Sequence, residues 1–366
     1  MKQYDVAAYV WPAYTGVEPR ARIFWEEGIG EWQTVKNSAP KPCGYVWDRK
    51  PLWGYADEAD PSVMEKQIAS ALAHGVNVFI YDWYWYDGRP FLEQCLNDGF
   101  LKAPNCNEMK FYVMWANHDA NYLWDIRNSD TLRETIWKGS VDRKQFEIIG
   151  RRWIDQYFHK ENYYKIDGKP VVSIYDMRNF ILGLGGVEQA KDAMRWLDRA
   201  AVEAGLNGVH FQFVRWNGKG QNLTGVDGAP QRTTAALMEK MGFASLTHYQ
   251  FVHFTDIDRD YEEILPDVQK EWASIADEYR IPYYPHVSVG WDNNPRFKGF
   301  RKGIVRNNTP ENFKKALIAA KEFADRTNVS LITVNSWNDW TETSYLQPDN
   351  LYGYGYLEAI RDVFKK

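Results

Sequence analysis

Near the end of the sequence, the strand-like run Leu331-Ile332-Thr333-Val334-Asn335 is followed directly by Ser336-Trp337-Asn338-Asp339-Trp340-Thr341-Glu342. A short run of β-branched and apolar residues, Leu331–Asn335, predicts a buried strand. Two carboxylates, Asp339 and Glu342, follow it among tryptophans. Apolar surroundings raise the pKa of a carboxyl group and keep it available as a proton donor. The pattern indicates acid/base catalysis, and the alternative is a helix start that Asp339 caps.

Seven similar runs precede this strand, separated by longer amphipathic stretches. The eight predicted strands are Val6–Val10, Val76–Asp82, Lys110–Ala116, Pro170–Tyr175, Val209–Phe213, Ala244–Tyr249, His286–Val289 and Leu331–Asn335. The predicted helices between them include Pro61–His74, Arg143–Phe158, Glu188–Ala204 and Glu311–Arg326. This alternation predicts an α/β fold, a single-domain (β/α)8 TIM barrel over residues 1–366. A doubly wound sheet is the alternative, weakened because no G-x-G-x-x-G follows the first strand.

The extra length of the chain lies in three long connections. They are Trp11–Asp60 after strand 1, Asn117–Asp142 after strand 3, and Val214–Gly242 between strands 5 and 6. Loops that follow the strands of a (β/α)8 barrel build its active-site face. We therefore expect the insertions after strands 1 and 3 to shape a cleft on the C-terminal face.

Composition and charge argue against several function classes. The chain has 366 residues and a net charge of -5, with no run of Lys or Arg, which argues against nucleic acid and anionic membranes as partners. No apolar stretch approaches the roughly 20 residues of a membrane span. No signal-peptide pattern begins the chain, so we expect a cytoplasmic location or a trimmed secreted protein. Cys43, Cys95 and Cys106 form no C-x-x-C pair and are interpreted as free thiols.

Aromatic residues are unusually frequent at the predicted strand ends. The chain has 17 Trp and 23 Tyr, more than a core requires, and their flat faces suit the C–H-rich faces of pyranose rings. Six of the eight strand ends combine aromatics with Asp, Asn, His or Glu. The candidate sugar platforms are Trp83, Trp85, Trp291 and Trp337, and the candidate hydroxyl-binding residues are Asp82, Asn117, His118, Tyr175, Tyr249 and Asp292. A Trp-rich core is the alternative for many of these rings.

A metal site is the competing hypothesis for the strand ends. His118, His248 and His286 could converge with a nearby aspartate on a divalent ion. Strand 1 carries no His-x-His pair, however, and the chain has no H-E-x-x-H motif or closely spaced Cys/His set. A G-x-S-x-G elbow and a Walker loop are also absent. We expect a site without a metal or other cofactor, whose partner is an oligo- or polysaccharide.

Six segments carry a resemblance to a known family. They are Leu52–Tyr55, Asp60–Gln67, Phe79–Trp85, Met114–His118, Val289–Arg296 and Asn335–Glu342. Together they resemble the glycoside hydrolase family 99-like proteins, which include the WbsX-type proteins of bacterial polysaccharide gene clusters. The resemblance covers nearly the whole chain in the right order and implies a (β/α)8 barrel.

The resemblance also implies roles for the carboxylates. In family 99 endo-α-mannosidases the terminal motif reads Glu-Trp-His-Glu. The second Glu, which corresponds to Glu342, is the general acid/base. The first, which corresponds to Asp339, assists the 2-hydroxyl of the substrate through a 1,2-anhydro sugar, with net retention. This chain departs from the motif, because Asp339 is one methylene shorter than Glu and Thr341 replaces the His.

The expected function is hydrolysis of a glycosidic bond in a poly- or oligosaccharide by Asp339 and Glu342. Retention of configuration and endo action are expected if the chain follows the enzymes of family 99. One alternative is a glycosyltransferase or transglycosylase of polysaccharide assembly, which the absence of a phosphate-binding Gly loop and of an Asp-x-Asp motif disfavours. A non-catalytic carbohydrate-binding barrel is the other.

Overall fold

Eight parallel strands form the wall of a barrel in the computed structural model, which describes residues 2–216 and 221–365. The strands are β1 (Asp5–Val10), β2 (Val78–Tyr86), β3 (Lys110–Trp115), β4 (Lys169–Ile174), β5 (His210–Val214), β6 (Ser245–Thr247), β7 (His286–Ser288) and β8 (Leu331–Asn335). Their order in the sheet is β6-β5-β4-β3-β2-β1-β8-β7. The predicted (β/α)8 barrel is confirmed, and the doubly wound sheet is excluded.

The wall is completed between β6 and β7 by the segment that leads into β7. The backbone N–H of Leu246 donates to the carbonyl of Pro282 (3.1 Å), and the N–H of Tyr284 donates to the carbonyl of Leu246 (2.9 Å). These two hydrogen bonds pair the edge of β6 with the segment that leads into β7. The carboxyl ends of all eight strands consequently lie around one face.

The helices pack outside this wall. Their bounds are α1 (Trp32–Lys36), α2 (Pro61–Ala73), α3 (Arg143–Trp153), α4 (Met177–Gly183), α5 (Val187–Glu203), α6 (Ala235–Met241), α7 (Tyr261–Glu278), α8 (Pro310–Arg326) and α9 (Gly355–Phe364). The four predicted helices correspond to α2, α3, α5 and α8, and α3 continues into one π-helical turn, Ile154–Phe158. Between β2 and β3 the described chain forms a π-helical turn and 3-10 turns in place of an α-helix.

The second strand is longer than predicted. The sequence placed its end at Asp82, whereas β2 runs on to Tyr86 and folds back as the short antiparallel strand Arg89–Phe91. The aromatic residues beyond Asp82 favour a strand. The chain turns only at Asp87 and Gly88, whose φ angles are 54° and 73°. Positive φ at two consecutive turn residues is typical of a tight hairpin.

The end of β8 is held against the end of β1. The N–H of Trp337 donates to the carbonyl of Tyr9 (2.7 Å). The Asn338 side chain accepts from the Trp11 N–H (2.8 Å) and donates to the Trp11 carbonyl (2.9 Å). Two short strands, Asn338–Asp339 and Ser344–Tyr345, then pair antiparallel. The turn that carries the two candidate catalytic carboxylates therefore has a fixed position on the C-terminal face.

The insertions after β1 and β3 both reach the loop that follows β7. Glu31 from the first insertion contacts Arg296 in that loop. Ser129 from the second donates to the Arg296 carbonyl (2.5 Å), and Asp130 accepts from the Lys298 N–H (2.8 Å). The two long connections thus cover the face where the strands end. Within the described residues, no helix has the length and apolar character that crossing a membrane requires.

Candidate active site

One guanidinium gathers three carboxylates at the C-terminal face. Nη1 of Arg296 lies 2.5 Å from Oε1 of Glu342, and Nη2 lies 3.4 Å from Oδ1 of Asp339. Nε lies 3.1 Å from Oε1 of Glu31. The Arg296 side chain is only 4% exposed, so these charges interact with little screening by water. Asp339 and Glu342, which the sequence pairs, therefore converge on the same cation.

The backbone around the carboxylates forms the capped turn that the helix-start alternative predicts. The Asp339 side chain accepts a hydrogen bond from the Glu342 N–H (3.3 Å) and caps the 3-10 turn Trp340–Glu342. The predicted capping role is therefore correct, and the capped turn also presents both carboxylates to Arg296. Thr341, which replaces the His of the family motif, accepts a hydrogen bond from Nε of Arg296 (2.7 Å).

The environment raises the pKa of both carboxyl groups. Burial raises the pKa of Asp339 well above its ordinary value, and the charge of Glu342 adds to this rise, while Arg296 opposes it. Burial also raises the pKa of Glu342, again against Arg296. Two like charges in a buried site favour retention of a proton. Because Arg296 lies closer to Glu342, the free site favours the proton on Asp339.

Glu31 and Arg296 are absent from the sequence-based candidates. Glu31 is fully buried, and its second oxygen accepts a hydrogen bond from Nε1 of Trp11 (2.5 Å). No motif marks Glu31, which lies in the insertion after β1. Arg296 closes one of the segments shared with the family 99-like proteins, and that position was the signal that could have identified it.

Asp82 contributes another carboxyl group to this face. Its Oδ2 accepts a hydrogen bond from the Tyr249 hydroxyl (2.8 Å), while its Oδ1 has no hydrogen-bond partner in the described chain. The side chain is buried, and this burial raises its pKa well above the ordinary value. The charge of Glu342 adds to that rise, which indicates that Asp82 lies near the carboxylate pair. Two predicted site residues, Asp82 and Tyr249, are therefore brought together.

An aromatic wall lies beside Asp82. Tyr175 stacks on Trp216 (5.4 Å between ring centroids) and meets Tyr249 edge-on (5.4 Å). His253 lies 5.1 Å from Trp216 and 5.9 Å from Tyr249. His118 meets Tyr175 edge-on at 5.7 Å. The wall thus contains Tyr175, Tyr249 and His118 from the predicted set, together with Trp216 and His253, which the sequence analysis does not single out.

Asn117 holds two strand ends together. Its side chain donates to the Asp176 carbonyl (2.8 Å) and accepts from the Asp176 N–H (2.7 Å). These bonds occupy its amide at the junction between the ends of β3 and β4. We therefore interpret Asn117 as a residue that positions the loop, rather than as one that binds a sugar hydroxyl.

Three of the predicted platforms lie outside the wall. Trp83 packs edge-on against Trp153 of α3 (5.3 Å), and Nε1 of Trp85 donates to Gln145 of the same helix (3.1 Å). Trp337 is fully buried and donates to Gln67 of α2 (2.7 Å). Side chains alternate along a strand, so Asp82 faces Tyr249 and its neighbour Trp83 faces the helices. We therefore interpret Trp83 and Trp337 as packing residues, whereas Trp85 also lines a cavity of about 330 Å³.

Trp291 and Asp292 border a separate cavity. Both line a space of about 380 Å³ together with Tyr45 and Arg49. Asp292 is buried, with Oδ1 accepting from Asn294 (2.7 Å) and Oδ2 contacting the Tyr45 hydroxyl. Asp292 therefore shapes its loop rather than offering a free carboxylate. Trp291 is half-buried, and its ring remains a candidate platform at this cavity.

Trp83 and Trp216 differ in burial, so we expect different effects when each is replaced by alanine. Trp83→Ala is expected to lower the free energy of unfolding by about 3–5 kcal/mol, because it empties a fully packed position. Trp216→Ala removes a half-buried ring from the wall, and we expect a markedly smaller loss of stability with weaker saccharide binding. Chemical denaturation and calorimetric titration measure the two effects. Weak saccharide binding by a stable Trp83→Ala variant would show that the ring lies in the cleft after all.

The histidines of the metal hypothesis have local partners. Nδ1 of His248 lies 2.7 Å from the Tyr283 hydroxyl, and Nδ1 of His286 lies 2.9 Å from the Thr333 hydroxyl. Nδ1 of His118 lies 3.0 Å from the Asp119 carbonyl. Across residues 2–216 and 221–365, no group of three or more His, Cys, Asp and Glu side chains is arranged to hold a metal ion.

Solved structures resemble this barrel over nearly its whole length. A GH99 endo-alpha-mannosidase from Bacteroides thetaiotaomicron matches with a TM-score of 0.60 and 14% identity, over 98% of this chain and 96% of that one. A protein described as glycoside hydrolase-like matches with a TM-score of 0.60 and 13% identity, over 100% of this chain and 95% of that one. A beta-glucosidase from Thermotoga maritima has a TM-score of 0.50 at 12% identity, over 98% of this chain and 97% of that one. These similarities show a glycosidase-like fold.

Sequence comparison gives a closer relationship. The chain is 25% identical to the uncharacterized protein WxcX of Xanthomonas campestris pv. campestris, over 99% of this chain and 50% of that protein. The chain thus spans about half the length of the curated relatives it matches. Residues 6–360 match the family described as "Glycosyltransferase WbsX". The chain belongs to the WbsX family.

Proposed function

We propose that this protein hydrolyses a glycosidic bond in a poly- or oligosaccharide, with Asp339 and Glu342 as the catalytic carboxylates. The observation that carries the proposal is their convergence on Arg296 at the C-terminal face of the barrel, with both pKa values raised. Active sites of (β/α)8 enzymes lie on that face. Paired carboxyl groups that share protons are the usual catalysts of glycoside hydrolysis.

The two carboxyl groups have different tasks in this proposal. Glu342 donates a proton to the glycosidic oxygen as the bond from that oxygen to the anomeric carbon breaks. Asp339 acts as the base or as the carboxylate that assists a nucleophile, and water finally supplies the oxygen bound to the anomeric carbon. The Glu342 side chain is 13% exposed and that of Asp339 is 3% exposed, so Glu342 is better placed to reach a leaving group.

The contact between Arg296 and Glu342 determines which of the two carboxyl groups holds the shared proton in this proposal. In the free site its closest carboxylate contact is with Glu342, which favours the proton on Asp339. A substrate oxygen that takes over this contact leaves Glu342 without its cation. Loss of the cation raises the pKa of Glu342 further and draws the shared proton to it. Substrate binding would thereby load the general acid.

The family description favours a second candidate function, a glycosyltransferase of polysaccharide assembly. A transferase would move the sugar to a carbohydrate hydroxyl instead of water. The same carboxylate pair would serve either acceptor, because water and a carbohydrate hydroxyl must each lose a proton as they attack the anomeric carbon.

A screen in isotopically labelled water tests the proposal. Bacterial polysaccharides and oligosaccharides are incubated with the protein in H₂¹⁸O, with and without nucleotide sugars, and the products are read by mass spectrometry. Hydrolysis predicts shorter saccharides that carry ¹⁸O at the new reducing end without any nucleotide sugar. Products that form only with a nucleotide sugar would identify a transferase, and binding without any product would identify a binding protein.

A further inference from the structure

The cavity beside Trp291 has the composition of a carbohydrate subsite. Its volume of about 380 Å³ falls in the range of small-molecule pockets. Besides Trp291, its lining includes Tyr45 and Tyr352, together with Asn307 and Asn308, whose side-chain amides donate to Asp260 and to the Val289 carbonyl. Aromatic faces suit the C–H-rich face of a sugar ring. The Trp291 ring is partly buried and packs against the hydrophobic core.

Residues that line the cavity are hydrogen-bonded to the turn that carries Glu342. The N–H of Asp292, which lines the cavity, donates to the carbonyl of Glu342 (2.8 Å). Thr343 also lines it, and the Thr343 hydroxyl donates to the Asp292 carbonyl (2.8 Å). Nε1 of Trp47 in turn donates to the Thr343 hydroxyl (2.9 Å). A saccharide held in this cavity would therefore lie next to the segment that positions the proposed acid.

Arg49 gives the cavity a cation with spare hydrogen-bonding capacity. Its side chain is 16% exposed, and its contact with Asp349 is long, at 3.5 Å. That contact is the one hydrogen bond of its guanidinium to the described residues. The acceptor, Asp349 Oδ2, is shared with the Tyr345 hydroxyl (2.7 Å). A guanidinium offers five N–H donors in a planar fork, so most of those of Arg49 are available to a ligand in the cavity that it lines.

The other charged residues that line the cavity are already paired with protein groups. Arg49 is therefore the main cation for binding a ligand there. Arg306 is exposed and donates to Asp258 (2.9 Å). Asp48 is also exposed and pairs with Lys50 (3.2 Å). Asp292 is occupied by Tyr45 and Asn294, as described above. A planar, partly buried guanidinium of this kind binds a carboxylate in bidentate fashion.

We propose that this cavity binds a sugar residue that carries a carboxylate, with Arg49 holding the carboxylate and Trp291 stacking on the ring. The substrate of the proposed hydrolase is accordingly a uronic-acid-containing saccharide. The inference rests on the proposed function for its place in catalysis, whereas its test measures binding and needs no turnover.

The test compares methyl glucuronide with methyl glucoside, and methyl galacturonide with methyl galactoside. Each pair differs at the carboxylate alone. NMR titration of the intact protein is expected to show at least one uronide binding about tenfold or more tightly than its neutral partner, as expected for a charge-assisted contact. High salt should reduce this preference. Arg49→Met should abolish it, and Arg49→Lys should keep only part of it, because an ammonium cannot form the bidentate pair.

Two further variants keep the inference falsifiable if Arg49→Met does not fold. Trp291→Ala is expected to weaken the binding of uronide and neutral glycoside alike, and Arg361→Met, an exposed change on α9, should alter neither. Equal affinity for both members of each pair in the wild-type protein would overturn the inference. A preference for the uronide that survives in a folded Arg49→Met variant would also overturn it. So would glucose 6-phosphate binding more tightly than either uronide. A uronide preference without any hydrolysis would retain the subsite and reject the hydrolase.

Discussion

Glu342→Gln is expected to reduce hydrolysis of an unactivated glycoside by about 10²–10⁴-fold, because it removes the general acid. An aryl glycoside with a good leaving group needs little protonation, so its leaving-group step should be affected much less. Asp339→Asn is expected to lower the hydrolysis rates of both substrates alike, because the nucleophile needs assistance whichever leaving group departs. Steady-state rates of the two variants on the two substrates measure this difference.

Glu358→Gln provides the matched control, because it makes the same chemical change on the outer helix α9. It should leave both rates unchanged. Both active-site variants should still fold and bind saccharide, since an amide keeps the shape of a carboxyl group. The opposite pattern, with Asp339→Asn spared on the aryl glycoside, would assign the acid role to Asp339, in agreement with where the free site favours the proton. Near wild-type turnover by both variants would place catalysis elsewhere.

Arg296→Met is expected to lower the free energy of unfolding at neutral pH by about 3–5 kcal/mol, because it leaves buried carboxylates without their cation. Without Arg296, whose charge lowers them, the pKa values of Asp339 and Glu342 should rise further in the folded state. The folded variant then binds more protons than the unfolded chain, so its stability should increase as the pH falls from 7 toward about 4. Denaturation with urea at several pH values measures this.

Arg361→Met should cost little at any pH, because Arg361 is largely exposed. A loss of stability in Arg296→Met that is equal at pH 7 and pH 5 would indicate lost packing instead of uncompensated charge.

The barrel could be predicted from the sequence because its strands are short, apolar and separated by amphipathic helices. The end of β2 could not, because Asp82 suggests a loop, whereas the aromatic residues after it continue the strand to Tyr86. Aspartate tolerates a buried strand here because Tyr249 donates to it. Residue preference alone does not reveal such a partner from a distant strand.

The same limit applies to the predicted sugar platforms Trp83 and Trp85. Trp83 and Trp85 lie on the face of β2 that packs against α3, while Asp82 lies on the other face. Choosing between the two faces requires the phase of the strand relative to the barrel axis. A strand rich in aromatics on both faces, and buried along its whole length, gives no hydrophobic alternation from which to read that phase.

The carboxylate pair itself could be predicted from the sequence because its members lie three positions apart in one turn. The cation that joins them was not, because Arg296 comes from a different loop and Glu31 from the insertion after β1. Long-range pairs of this kind depend on the folding of two connections over one face. The resemblance to family 99-like proteins covers the segment of Arg296 but does not give its role.

Catalysis by the Asp339–Glu342 pair is tested most directly by comparing the wild-type protein with the Asp339→Asn/Glu342→Gln double variant on one bound polysaccharide. Mass spectrometry of the reaction mixture measures the saccharide released, and titration confirms that both proteins bind. The predicted result is release of a shorter saccharide by the wild-type protein and none above background by the double variant. Equal release by both proteins at equal binding would contradict the proposed function of the pair.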